Sequence, residues 1–100
     1  MDTFQDLKNI LDEQGRVTVW PARRDRQRRV LEYFASRFAY DTDYTEQQVN
    51  EILNQYHIFG DWALLRRELF SLRMLDREPD GTRYWRIRPA AEREGNTADG

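Results

Sequence analysis

The stretch Glu78-Pro79-Asp80-Gly81-Thr82 does most to limit what this chain can fold into, because three neighbouring residues prescribe one reversal. Proline presets the φ of a turn's first corner. Aspartate tolerates the second, and glycine takes the left-handed residue that follows. The spacing predicts a three-residue hairpin loop with a glycine bulge. Glu78 then faces Thr82, Arg77 faces Arg83, and Leu75 faces Trp85 on the inner side of a hairpin over 74–88. This hairpin follows directly on a helix predicted over 62–73, opened by Asp61, with Trp62, Leu65, Leu69 and Leu72 at helical spacing.

Two more helices precede that pair. Residues 24–38 place Gln27, Val30, Leu31, Phe34, Ala35 and Phe38 on one face, away from Arg24, Arg28 and Glu32. Thr45-Glu46-Gln47-Gln48 has the form of a capping box, opening a helix over 45–56 with Val49, Ile52, Leu53 and Tyr56 on one stripe. His57-Ile58-Phe59-Gly60 breaks it. Ahead of these, Phe4, Leu7, Ile10 and Leu11 predict a helix over 3–13, and Arg16-Val17-Thr18-Val19-Trp20 alternates like a short strand.

The expected fold is α+β and mostly α: a winged helix-turn-helix with an extra N-terminal helix and short strand. Residues 1–22 pack on the core, 23–88 form the winged-helix core with its wing at 74–88, and 89–100 form a disordered acidic tail poor in apolar residues.

Composition narrows the function. The 100 residues contain no cysteine, which excludes disulfides, zinc ribbons and cysteine nucleophiles. No apolar run approaches the roughly 18 residues of a membrane span. The start, Met1-Asp2-Thr3-Phe4-Gln5-Asp6, lacks the features of a signal peptide, so a cytoplasmic location with no membrane partner is expected. Net charge is −2, yet charge is segregated. Residues 16–37 hold seven arginines against Asp25 and Glu32, whereas 41–61 hold Asp41, Asp43, Glu46, Glu51 and Asp61 with no Lys or Arg. The acidic and basic segments either neutralise each other within the fold or leave a surface for a charged partner.

The run Gly15-Arg16-Val17-Thr18-Val19-Trp20-Pro21-Ala22-Arg23 is followed by Val30-Leu31-Glu32-Tyr33, Tyr44-Thr45-Glu46 and Val49-Asn50-Glu51-Ile52-Leu53. His57, Asp61, Leu65-Arg66-Arg67-Glu68-Leu69, Leu75-Asp76-Arg77 and Tyr84-Trp85-Arg86 come after. Over about residues 5–88 this order resembles the bacterial domain-of-unknown-function family 2087. The resemblance implies a small winged-helix-like domain, whose relatives are sometimes joined to a second helix-turn-helix domain and labelled transcriptional regulators. It implies no established chemistry.

Catalytic and metal sites are not expected. The single histidine, His57, lies at a helix break, where it suits a bond to Asp61 or to a free helix carbonyl. One histidine among scattered carboxylates does not meet a transition metal's needs. No glycine-rich phosphate loop is present, and no cofactor is implied. The expected function is therefore non-enzymatic: binding of double-stranded DNA in bacterial transcription regulation, through the third helix and the wing. Arg67, Ser71, Arg77, Arg83 and Arg86 are the candidate contacts. The third helix offers no Asn, Gln or Lys on its outer face for base edges, so these contacts would hold phosphates. The alternative is a protein-interaction module, a homodimer or a complex with a regulatory partner, using an apolar face of Leu64 and Phe70. That alternative requires that the N-terminal helix not fold over Phe70.

Overall fold

A computed structural model describes residues 4–88, and the expected tail at 89–100 lies outside the described residues. The chain runs through a 3-10 helix, Gln5–Ile10, then α1 (Arg24–Ala35), α2 (Glu46–Gln55), α3 (Trp62–Ser71), β1 (Leu75–Arg77) and β2 (Tyr84–Arg86). It is an α+β structure, mostly α, with a two-stranded antiparallel hairpin after three helices.

Helices α2 and α3 are bounded by local caps. In α2, the Thr45 hydroxyl accepts from the Gln48 N–H at 3.0 Å, and the Gln48 side chain accepts from the Thr45 N–H at 2.9 Å. This is the expected capping box. In α3, the Asp61 carboxylate accepts from the Leu64 N–H at 3.3 Å. The end of α3 is a Schellman motif: Met74 N–H reaches the Leu69 carbonyl at 2.9 Å and Arg73 N–H the Phe70 carbonyl at 3.1 Å. Arg73 occupies the left-handed position at φ +63°, which glycine normally takes. An L residue there costs roughly 1–2 kcal/mol.

One core collects the inward stripes. Val30, Leu31 and Phe34 of α1, Val49 and Leu53 of α2, and Leu65 and Leu69 of α3 are fully buried together. Leu7 and Val17 join the same cluster from the N-terminal segment, and Leu75 and Tyr84 from the hairpin. His57 seals the α2–α3 junction. Its Nδ1 lies 2.6 Å from the Leu53 carbonyl and its Nε2 accepts from the Asp61 N–H at 3.1 Å. Both partners anticipated for this residue are engaged, one at each ring nitrogen.

The N-terminal expectations need correction. The helix over 3–13 is a shorter 3-10 helix, because the Ile10 carbonyl is taken by the Thr18 N–H at 2.8 Å and the Thr18 hydroxyl at 2.9 Å. The short strand over 16–20 reduces to isolated bridges from Val17, antiparallel to Leu11 and parallel to His57. The 3-10 helix does not cover Phe70; it packs on α1, with Phe4 edge-on to Tyr33 at 5.2 Å and Asp6 bonded to Arg29 at 2.9 Å.

The hairpin also departs from its expected register by one residue. Gly81 takes the left-handed conformation at φ +77°, and its N–H closes on the Glu78 carbonyl at 2.8 Å, as the turn chemistry requires. Thr82, however, bonds back to the Asp80 carboxylate through its N–H at 3.1 Å and its hydroxyl at 2.7 Å. Held in the loop this way, Thr82 cannot face Glu78. Glu78 donates its N–H to Arg83 instead, and the pairs become Arg77 with Tyr84, Asp76 with Trp85 and Leu75 with Arg86. A one-residue slip exchanges the faces of a strand. Tyr84 is therefore the buried residue of β2, and Trp85 is only half-buried.

Candidate functional site

A cleft of about 310 Å³ lies between α3, the start of α2 and the hairpin. Helix α3 supplies Ala63, Arg66, Arg67 and Phe70, the hairpin supplies Arg77 and Tyr84, and α2 supplies Glu46. Tyr84 is fixed by a two-way backbone bridge to Tyr44, with N–H to carbonyl distances of 2.8 and 2.7 Å. That bridge ties the hairpin to the acidic turn before α2 and sets the width of the cleft.

The three guanidiniums in the cleft are in different states. Arg66 lies 3.0 Å from the Glu46 carboxylate, donates to Asn50 at 2.7 Å and stacks over Trp62 at 5.3 Å. Its charge is spent within the fold. Arg67 is exposed and makes no hydrogen bond or ion pair among the described residues. Arg77 makes no ion pair either and lies over the Phe70 ring at 5.1 Å. A guanidinium on an aromatic face keeps its planar fork available to an anion.

The other expected contacts are not brought together here. Arg83 is bonded to Glu78, lies 3.3 Å from Asp43 and stacks over Trp85 at 4.8 Å. The bonds from Glu78 and then Asp43 push its pKa above the ordinary arginine value. Arg86 donates to the Phe38 carbonyl at 3.3 Å and lies over Tyr40 at 4.0 Å, so it belongs to a different hollow. Ser71, at the exposed end of α3, and the half-buried Leu64 are outside the cleft, whereas Phe70 is inside it.

Sequence reasoning missed Tyr84 and the cleft role of Ala63. Tyr84 follows from the four-residue loop, whose signal was the Asp80–Thr82 spacing. Ala63 is found by asking which residue of the α3 outer face is small enough to leave a hollow.

Opposite charges do pair across much of the surface, the acidic 41–61 segment with arginines of α3 and the hairpin region rather than with those of α1. Arg66, Arg83 and Arg88 pair with Glu46, Asp43 and Asp41 of the acidic segment. On α1, Arg24 reaches Glu68 at 3.0 Å, Arg26 and Arg29 reach Asp6, and Arg28 reaches Glu32. The Asp6 carboxyl is held below its usual value, chiefly by the hydrogen bond from Arg29. No cluster of metal-ligating side chains exists among the described residues, and no helix there is long and apolar enough to cross a membrane.

A three-helix domain with a hairpin and a partly unneutralised basic cleft is the class that fold and site define. The chain belongs to the family described as an uncharacterized protein conserved in bacteria, DUF2087, whose model matches residues 16–86. That match spans α1 to β2, so the cleft lies within the family domain. No curated protein and no solved structure matches the chain.

Proposed function

We propose that this is a non-enzymatic winged-helix module of bacterial transcription regulation that holds duplex DNA by its phosphate backbone in the α3–hairpin cleft. The observation that carries the reading is the pair Arg67 and Arg77, two cleft guanidiniums that form no ion pair with a carboxylate among the described residues. Helix-helix-hairpin order gives a helix and a hairpin edge that can straddle a groove and its flanking phosphates. The reading assigns grip without sequence readout. The outer face of α3 offers base edges one guanidinium, Arg67, and Asn50 of α2 is occupied by Arg66.

Fluorescence anisotropy of a labelled duplex tests it. The full chain should bind at low salt, with log affinity falling against log salt at a slope near the roughly −0.9 per phosphate contact expected for B-DNA, multiplied by about two contacts. Absence of binding to any duplex at low salt would overturn the reading.

A specific observation favours a second reading, protein contact. Val19 and Ile58 are the large apolar residues that stay exposed, at 50% and 51%. They flank the Val17–His57 bridge, away from the cleft. Self-association lost in Val19→Asp with Ile58→Asp, with duplex binding unchanged, would place a homodimer contact there.

A further inference from the structure

A second hollow, of about 350 Å³, opens at the base of the hairpin and shares no residue with the cleft. Its size is at the small end of ligand pockets, about 300–1,000 Å³. Leu72, Met74 and Ile87 give it an apolar lining, and Tyr40, whose ring carries Arg86 at 4.0 Å and Arg88 at 4.4 Å, lines it too. Four guanidiniums, Arg28, Arg73, Arg86 and Arg88, surround it against one carboxylate, Glu32.

That carboxylate offsets Arg28 within the hollow and Arg29 outside it. Glu32 lies 2.8 Å from Arg29 and 3.8 Å from Arg28. Arg88 is paired with Asp41 at 2.7 Å. Arg86 is held over Tyr40 and bonded to a backbone carbonyl, and it forms no ion pair among the described residues. Arg73 is exposed and forms no side-chain hydrogen bond or ion pair among the described residues.

Arg73 is also the residue that the backbone least accounts for. It stands at the glycine position of the Schellman motif, at φ +63°. Strain of this kind is kept where a side chain has a task that glycine cannot do. A cation near the α3 C-terminus gains something from the helix dipole, but that gain is small at an exposed site.

We propose that this hollow binds a small organic anion with an aromatic body and a terminal carboxylate or phosphate. The body lies on Leu72, Met74 and Ile87, and the head is held by the Arg73 fork with Arg86 adding charge.

Calorimetry of the full chain with benzoate and phenyl phosphate, beside benzyl alcohol and inorganic phosphate, tests the site. At least one aryl anion should bind tenfold or more tighter than either control, and the tighter of the two names the head group. The amide signals of 72–74 and 86–88 should move with it. Arg73→Gly should lower that affinity at least tenfold without lowering the melting temperature, since glycine relieves the backbone. Arg73→Lys, which keeps the charge but loses the fork, should fall between. Aryl anions no tighter than inorganic phosphate, or unchanged affinity in Arg73→Gly, or shifts confined to Arg67 and Arg77, would overturn the proposal.

Discussion

Helix α1 and the α3–hairpin region are both rich in arginine, and they end in opposite electrostatic states. Arg24, Arg26, Arg28 and Arg29 of α1 each lie within 4 Å of a carboxylate. Arg67 and Arg77 have none among the described residues, although Glu46 lines the same cleft. The difference teaches that the number of cations says little about a binding face. What matters is which of them the fold has left without a counter-ion.

The comparison breaks most visibly in binding. Arg67→Gln with Arg77→Gln should weaken duplex affinity at least tenfold and flatten the salt slope by about two phosphate contacts, or roughly 1.8. Glutamine keeps part of the Arg77 stem over Phe70. Arg24→Gln with Arg28→Gln, the same charge change on α1, should alter affinity less than twofold. Equal losses in the two double variants, read by anisotropy at one salt concentration, would erase the distinction.

A smaller effect sharpens it from the other side. Glu46→Gln should free Arg66 in the cleft and strengthen duplex binding by about threefold, steepening the salt slope by about 0.9. The capping box uses Thr45 and Gln48, so the helix start survives. Unchanged affinity would mean that pairing is not what silences Arg66.

Folding should respond less than binding. Glu68→Gln breaks the Arg24 pair, whose partners are 59% and 22% exposed, and exposed pairs are worth about 0–1 kcal/mol. Urea unfolding should therefore change by less than about 1 kcal/mol. The α1 pairs thus dispose of charge more than they hold the fold.

The pH response is the weakest lever. The carboxyls of Asp6 and Asp12 are lowered from 3.8, Asp6 chiefly by Arg29 and Asp12 chiefly by the Arg16 N–H. A folded pKa below the unfolded one gives stability that is present above about 3.8 and lost as pH falls through the folded values. Melting temperature should decline over that acid window, and Asp12→Asn should make the decline shallower. An unchanged profile in that variant would show that the Asp12 loop contributes nothing to it.

Much of the fold was legible because its signals are local. The stripes of α1, α2 and α3, the Thr45 capping box, the Asp61 cap and the left-handed Gly81 each depend on residues within one turn or loop. The hairpin register was not legible, because the bond from Thr82 to Asp80 adds a fourth loop residue that Pro79-Asp80-Gly81 alone does not reveal. The 3-10 helix was overestimated because its end is set by Thr18, eight residues beyond Ile10.

The site was legible only in part. The outward position of Arg67 follows from helical angle. The pairing of Arg83 with Asp43, 40 residues away, and of Arg88 with Asp41, 47 away, is tertiary and leaves no trace in spacing. Arg77 was expected for its place near the hairpin tip, but its seat over Phe70 depends on how the hairpin folds back on α3.

The most direct test is a nuclear magnetic resonance titration of the uniformly ¹⁵N-labelled chain with a short duplex at low salt, following the arginine Nε–H signals. Arg67 and Arg77 should move together, with the amides of 63–70 and 77–84, while Arg24, Arg26 and Arg28 stay in place. Movement centred on α1, or no movement at saturating duplex, would contradict the account.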